Sequence, residues 1–483
     1  MLVNVFVGAG KLCITPVLPL TDVQLLKKLF TFVVHGFEYT KQHQMYGWDG
    51  SVCLFKKGQE LPLGCLYRAK NALKKIGHKV QITFASDVKP KGEIKVDDLE
   101  LDPFQISAVK KALKCRYGIV VAPVRAGKTA ISAALIRAVD HYPAWVVTNR
   151  KDLVLQTQAD IAKHLSRPIG LYSEGRYKPN DITVTSYDAL RAAFTKRRLK
   201  DPVKIQRNKD VKYNWERAKI VILDECHHAA AKKFEHVLQA CVSTAYQIGL
   251  TATPQSGMLP VIEFESKVGC VISKIPYSTL IEKGRLAQPL VIMYSLPYAW
   301  YSTYLPTYDD VVTSNLIENQ ARNKFICDIA ARFRKEGKTC FIQVSRIEHG
   351  IVLNNMISES IFVRGSMQGQ VRKDIYKSLH EKTIYCVIGT VGKEGLNIPS
   401  LDAVVNAEGS KSPVANKQKM RSLTACEGKR IGIIIDFLDK GRYLMRHSKK
   451  RLKMYQSLHG FKIKIRQVPK TYFPMEGTRW QAK

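Results

Sequence analysis

The feature that most constrains this chain is a repeated alternation of short Val/Ile-rich runs with segments of helical periodicity. Between about residues 99 and 254 the runs are "GIVVA", "AWVVT", "ITVTS", "KIVILDE" and "AYQIGLTAT". A second series, from about 261 to 439, passes through "TCFIQV", "SIFVRG", "IYCVIGT", "DAVVNAE" and "RIGIIIDF". Strands that are apolar throughout must be covered on both faces, which predicts parallel sheets flanked by helices. The fold class is therefore α/β, with two similar parallel-sheet domains in tandem. Residues 1–95 differ: alternating runs such as "LVNVFV" and "SVCLF" surround segments of helical spacing, which predicts a small α+β module opening on a strand pair. The expected divisions are 1–95, 96–257, 258–440 and a basic C-terminal extension, 441–483, containing the helix-like "KGRYLMRHSKKRLKMYQ".

Charge narrows the partner. A formal net charge of +35, from 76 Lys+Arg against 41 Asp+Glu, far exceeds what solubility needs and points to a polyanion, nucleic acid first. No apolar run approaches the ~18 to 20 residues that span a bilayer, so no membrane role is expected. The 11 cysteines are scattered with no Cys-x-x-Cys pair, which speaks against a zinc ribbon and predicts reduced thiols in a cytoplasmic protein.

The stretch "IVVAPVRAGKTAISAALI" carries the chemistry of a phosphate loop. Gly127, Lys128 and Thr129 fall where a predicted strand meets a helix N-terminus, whose free N–H groups and dipole favour phosphate. Lys128 would reach the outer phosphates and the Thr129 hydroxyl would ligate Mg²⁺. Arg125 stands where such loops commonly carry glycine or serine. The second element, "KIVILDECHHAA", ends a strand on adjacent carboxylates: Asp224 to hold Mg²⁺ and Glu225 to orient and deprotonate water. The neighbouring His227 and His228 lack a third ligand at suitable spacing, so a zinc site is not expected.

In order, the phosphate loop, "DECH" and "GLTATP" resemble the motif series of superfamily 2 helicases and translocases. The resemblance covers roughly residues 99–440 and implies RecA-like domains. It implies that Phe104 and Gln105 of "DPFQISAVKKAL" contact adenine, with Ala126, Gly127, Lys128 and Thr129 around the phosphates. "VVTNRKDLVLQ" and "VTSYDAL" resemble first-domain motifs that grip the nucleic-acid backbone, which puts Thr148, Arg150, Thr185 and Ser186 there, together with Thr251 of "TATP". In the second domain, "CFIQVSRIEHG" and "IGTVGKEGLNIPSLDAVVN" resemble motifs IV and V. These imply nucleic-acid contacts by Ser345, Arg346 and Thr390, and nucleotide contacts by Gly395 and Asn397. The last motif departs: "NKQKMRSLTACEGKR" has no Q-x-x-G-R-x-x-R pattern. Aligning Arg421 with the first arginine makes it the candidate γ-phosphate finger; otherwise it is an exposed helix arginine.

Both ends of the chain resemble phage branch-migrating DNA helicases of the UvsW type. The resemblance implies a monomeric enzyme, in the bacterial host cytoplasm if phage-encoded, that uses ATP and Mg²⁺ between the two RecA-like domains to remodel forks and recombination or repair intermediates. An RNA helicase and a nucleic-acid clamp with weak ATPase activity remain alternatives. Tyr46, Trp48 and Phe55 of the N-terminal module suit either base stacking or core packing. The basic insert 195–217 suits either a DNA-gripping hairpin or a solvated loop.

Overall fold

The structure, a computed structural model, describes residues 1–8, 10–90, 99–149, 151–173, 175–195, 201–229, 234–252, 260–302, 304–390, 400–410 and 431–472. The chain divides into two compact units, Met1–Ile275 and Pro276–Lys483.

The first unit holds the N-terminal module and the first large sheet. In the module, strands Leu2–Gly8 and Lys11–Thr15 form the expected antiparallel pair, and Lys79–Phe84 adds to Leu2–Gly8 in parallel. Helices Leu20–Leu29 and Leu66–Lys75 cover this sheet with Leu26, Ala69 and Leu73. The module is not a tethered appendage, because Tyr117 of the first α/β strand is part of its core. Phe84 stacks on Tyr117 at 6.2 Å, Arg116 lies over Phe84 at 4.3 Å, and Arg68 pairs with Glu265 at 2.5 Å.

The first large sheet has eight strands in the order Arg176–Lys178, Gly170–Ser173, Ile182–Ser186, Ala144–Thr148, Ile220–Asp224, Tyr246–Thr251, Tyr117–Val121, Val271–Lys274. All neighbours are parallel except the first two. The five strands expected from the Val/Ile runs are central. The unit extends to Ile275 rather than 257 because Val271–Lys274 pairs with Tyr117–Val121.

Within the basic insert, residues 202–216 form neither a hairpin nor a loop but the helix Pro202–Glu216. Pro202 opens it, and Asp201 caps it by accepting from the backbone N–H groups of Val203 and Lys204. Val211 and Trp215, four residues apart, turn inward; Trp215 donates Nε1–H to Val237 O and meets Trp145 edge-on at 5.6 Å. Charged residues occupy the remaining face, which is why the segment reads as a charge run.

The second unit contains a seven-stranded parallel sheet in the order Ser360–Val363, Cys386–Gly389, Cys340–Gln343, Ala403–Asn406, Ile431–Leu438, Gln288–Ser295, Lys462–Gln467. It does not end near 440. Helix Leu444–Gln456 is basic, as expected, but one face is buried, and the chain then adds Lys462–Gln467 to the sheet edge. Arg451, 1% exposed, donates to Asp436 and to the carbonyls of Ser410 and Phe437, while Tyr455 donates to Asp436. Arg322 pairs with Asp439 at 2.9 Å, and both side chains are buried. Buried guanidinium and carboxylate groups are tolerable only as such a hydrogen-bonded network.

Candidate active site

Strands Tyr117–Val121, Tyr246–Thr251 and Ile220–Asp224 are successive neighbours, so their C-terminal ends form one edge. The phosphate-loop segment leaves the first, and helix Lys128–Val139 follows it. Gly127 caps this helix at φ 74°. A Cβ there would lie 2.2 Å from Gln105 Nε2, so both conformation and space require glycine. Arg125 also sits in the left-handed region, at φ 65°. That conformation explains why glycine is common at this place, and it costs a non-glycine residue about 1–2 kcal/mol.

Asp224 ends its strand and Glu225 turns sharply away at φ 47°, its N–H donating to Asp224 Oδ1 at 3.0 Å. This turn sends the two carboxylates to one ammonium: Lys128 Nζ lies 2.5 Å from Glu225 Oε1 and 3.4 Å from Asp224 Oδ1. Glu225 is buried, and its Oε2 accepts from Thr251 Oγ1 at 3.1 Å, with His227 Nδ1 3.6 Å away. Behind it, Tyr187 donates to Asp224 O at 2.9 Å, and burial raises its phenol well above the usual value. Burial also raises the thiol of Cys226, a packing residue here.

Gln105 is buried in the helix Pro103–Cys115. Its amide accepts from Asp102 N and donates to Ala126 O, both at 2.9 Å. The residue thus closes a capping box and pins the phosphate-loop segment with one side chain. The Asp-x-x-Gln spacing signals the cap; the second bond, across 21 residues, has no local signal. Phe104 is partly exposed beside it, and Thr129 occupies the second position of the Lys128 helix.

The match to known proteins lies over this edge. Residues 98–256 match the family model described as "Type III restriction enzyme, res subunit". The chain is 23% identical, over 89% of its length and 92% of the relative's, to the ATP-dependent DNA helicase uvsW of Enterobacteria phage T4. Over 159 residues, 33% of this chain and 32% of the relative, it is 30% identical to the DNA 3'-5' translocase XPB2 of Sulfurisphaera tokodaii. The chain is similar to superfamily 2 helicases and translocases. In fold, it is similar to the ATP-dependent Type ISP restriction-modification enzyme LlaBIII bound to DNA, with TM-score 0.55 and 14% identity over 79% of this chain and 32% of that one.

The other motif residues fall into distinct settings. Thr148, Thr185 and Ser186 are buried. Thr148 and Thr185 donate to backbone carbonyls, and Ser186 caps helix Tyr187–Phe194. Those hydroxyls hold strand ends in place rather than standing on the surface. Thr251 is joined to Glu225 and hence to the carboxylate cluster, a placement that its position in "TATP" does not reveal. In the second unit Ser345 and Arg346 are exposed; Arg346 precedes helix Ile347–Met356 and pairs with Asp309, and Thr390 is partly buried after strand Cys386–Gly389. Arg150, Gly395, Asn397 and Arg421 lie outside the described residues. Among the described residues no group of three or more His, Cys, Asp or Glu could hold a metal ion, and no helix is long and apolar enough to cross a membrane.

Proposed function

We propose that this chain is an ATP-dependent DNA helicase or translocase, acting as a monomer on branched DNA such as forks and recombination or repair intermediates. The observation that carries the reading is the Lys128–Glu225–Asp224 cluster beside the N-terminus of helix Lys128–Val139. A helix N-terminus binds phosphate, and Lys128 supplies the cation for its outer oxygens. Glu225 takes the proton of a water whose oxygen bonds to the γ-phosphorus, while the bond from that phosphorus to the β–γ bridging oxygen breaks. Thr251 holds the Glu225 carboxylate through its second oxygen, and His227 Nδ1 lies 3.3 Å from the Thr251 hydroxyl.

The donors also suit Mg²⁺. Asp224 and the Thr129 hydroxyl are hard oxygen ligands, which suit an ion that keeps waters and leans on substrate phosphates. Bound there, Mg²⁺ would offset phosphate charge. The polyanion is assigned as DNA because the relative matched along 89% of the chain is named a DNA helicase, and the net charge of +35 fits a phosphate backbone. We take 1–95 as the module that directs the motor to its substrate, 96–275 as the ATP-binding half and 276–472 as the second half. The test is phosphate release by the full chain with forked DNA, blunt duplex and structured RNA, alongside unwinding of forks and migration of four-way junctions. Stimulation by RNA alone would replace this reading with an RNA helicase.

A further inference from the structure

The N-terminal module carries an arm, residues 31–53, that the helicase reading does not explain. Its root is a two-stranded ribbon, Thr31 opposite Cys53 and Val33 opposite Ser51. The ribbon emerges between Phe30 and Phe55, both in the module core. The arm has its own small interior. Phe37 meets the rings of His43 and Trp48 edge-on at 5.1 and 6.3 Å, His43 Nδ1 lies 2.8 Å from Trp48 O, and Trp48 Nε1–H donates to Ser51 O. Thr40 caps helix Lys41–Tyr46, and a Cβ on Gly50 would sit 2.4 Å from Phe37, so the last turn closes directly on that ring.

These contacts sort the aromatics. Phe55 is 4% exposed, and Trp48 and Phe37 hold the arm together. Tyr39 and Tyr46 do neither: they are 86% and 80% exposed, with Met45 beside them at 68%. Neither tyrosine makes a side-chain hydrogen bond among the described residues. A closed scaffold that holds two flat rings in solvent is pre-organised for stacking. The surrounding charge indicates on what. Lys27 and Lys28 stand in the last turn of the helix before the arm, Lys56 and Lys57 follow it, and Lys41 lies within it; all are exposed and none forms an ion pair among the described residues. Against them the arm has Glu38 and Asp49, and Asp49 is engaged by the N–H and hydroxyl of Ser51.

We propose that Tyr39 and Tyr46 stack on unpaired or end-of-duplex bases at a DNA branch, with the lysine collar on the adjoining phosphates. The interior of a duplex offers base edges but no free faces, so such a platform distinguishes a branch from continuous duplex. The proposal rests on DNA being the substrate.

The test compares the full chain with Tyr39→Ala/Tyr46→Ala and Tyr39→Phe/Tyr46→Phe. Equilibrium anisotropy is measured at one salt concentration on a fork with a single-stranded arm, on oligo(dT) and on duplex capped at both ends by non-nucleotide linkers. The alanine pair loses about tenfold or more on the fork and oligo(dT), while the phenylalanine pair stays within about twofold. Capped-duplex affinity and DNA-free ATP turnover stay unchanged in both. Wild-type fork affinity in the alanine pair overturns the proposal and leaves Tyr39 and Tyr46 to another occupant such as a protein. So does an equal loss in the phenylalanine pair, an equal loss on capped duplex, or a wild-type chain with no preference for the fork. Failure of the helicase reading shows separately, as fork binding without DNA-stimulated phosphate release.

Discussion

The ammonium of Lys128 lies 2.5 Å from the Glu225 carboxylate. The residue assigned to the outer phosphates and the residue assigned to the water are therefore directly coupled. An incoming phosphate competes with Glu225 for the same cation.

That competition separates two variants. Glu225→Gln removes the competing charge, so ATP affinity is kept or tightened while turnover falls about 10²- to 10⁴-fold, the range for loss of a general base. Lys128→Ala loses both affinity and turnover. Titration with a fluorescent ATP analogue, paired with single-turnover phosphate release, checks this; weakened ATP binding in Glu225→Gln would show that the carboxylate does not compete for Lys128.

Gln105 gives a second test. Its amide bonds Asp102 N with its oxygen and Ala126 O with its nitrogen. Gln105→Glu keeps the accepting half and loses the donating half. With about 1–3 kcal/mol at stake in a buried unpaired carbonyl, KM for ATP rises by roughly 5- to 150-fold, while the cap on helix Pro103–Cys115 survives. Steady-state kinetics with helix content by circular dichroism separate the two effects; unchanged KM would mean the loop does not depend on this clamp.

These two sites also show what a linear reading can reach. Val/Ile runs reveal parallel strands because a doubly covered strand has no polar face, and the phosphate loop and acid pair sit at strand ends, where spacing is informative. Arg451 was illegible: in "RHSKKRLKMY" it reads as one more solvated cation, and only the fold places it on Asp436. Lys462–Gln467 escaped because lysines and arginine dominate it, as suits an edge strand paired on one side. Trp215 turned a charge run into a packed helix through contacts with residues 22 and 70 positions away, Val237 and Trp145. Sequence spacing carries no record of such partners.

The Arg451 network sets a stability prediction for the second unit. Arg451→Met leaves Asp436 without its buried cation, while Asp439 keeps Arg322; an unpaired buried carboxylate costs about 3–5 kcal/mol. Adding Asp436→Asn restores part of that loss. Denaturant unfolding of the single and double variants measures the coupling, and strictly additive effects would deny it.

His349 makes the same unit acid-sensitive. Burial and then the charge of Arg322 push its imidazole down to about 3 from the ordinary 6.5, and its Nε2 lies 3.0 Å from Asn323 Oδ1. The folded protein keeps this ring neutral while the unfolded chain takes up a proton below about 6.5. Its contribution is therefore intact above pH 6.5 and declines as pH falls toward 3, by about 1.4 kcal/mol per pH unit. Between pH 6.5 and 5 this amounts to about 2 kcal/mol. His349→Gln removes that share of the slope, read as the difference in unfolding free energy between wild type and variant across this window; parallel pH profiles would contradict it.

The central claim is that the Lys128–Glu225–Asp224 cluster drives a DNA motor. The most direct measurement is steady-state phosphate release by the full chain, with and without forked DNA, against Glu225→Gln under the same conditions. The expected result is slow release alone, strong stimulation by the fork and loss of the stimulated rate in the variant. A wild-type chain that releases no phosphate with DNA, or a Glu225→Gln variant that turns over like wild type, would contradict it.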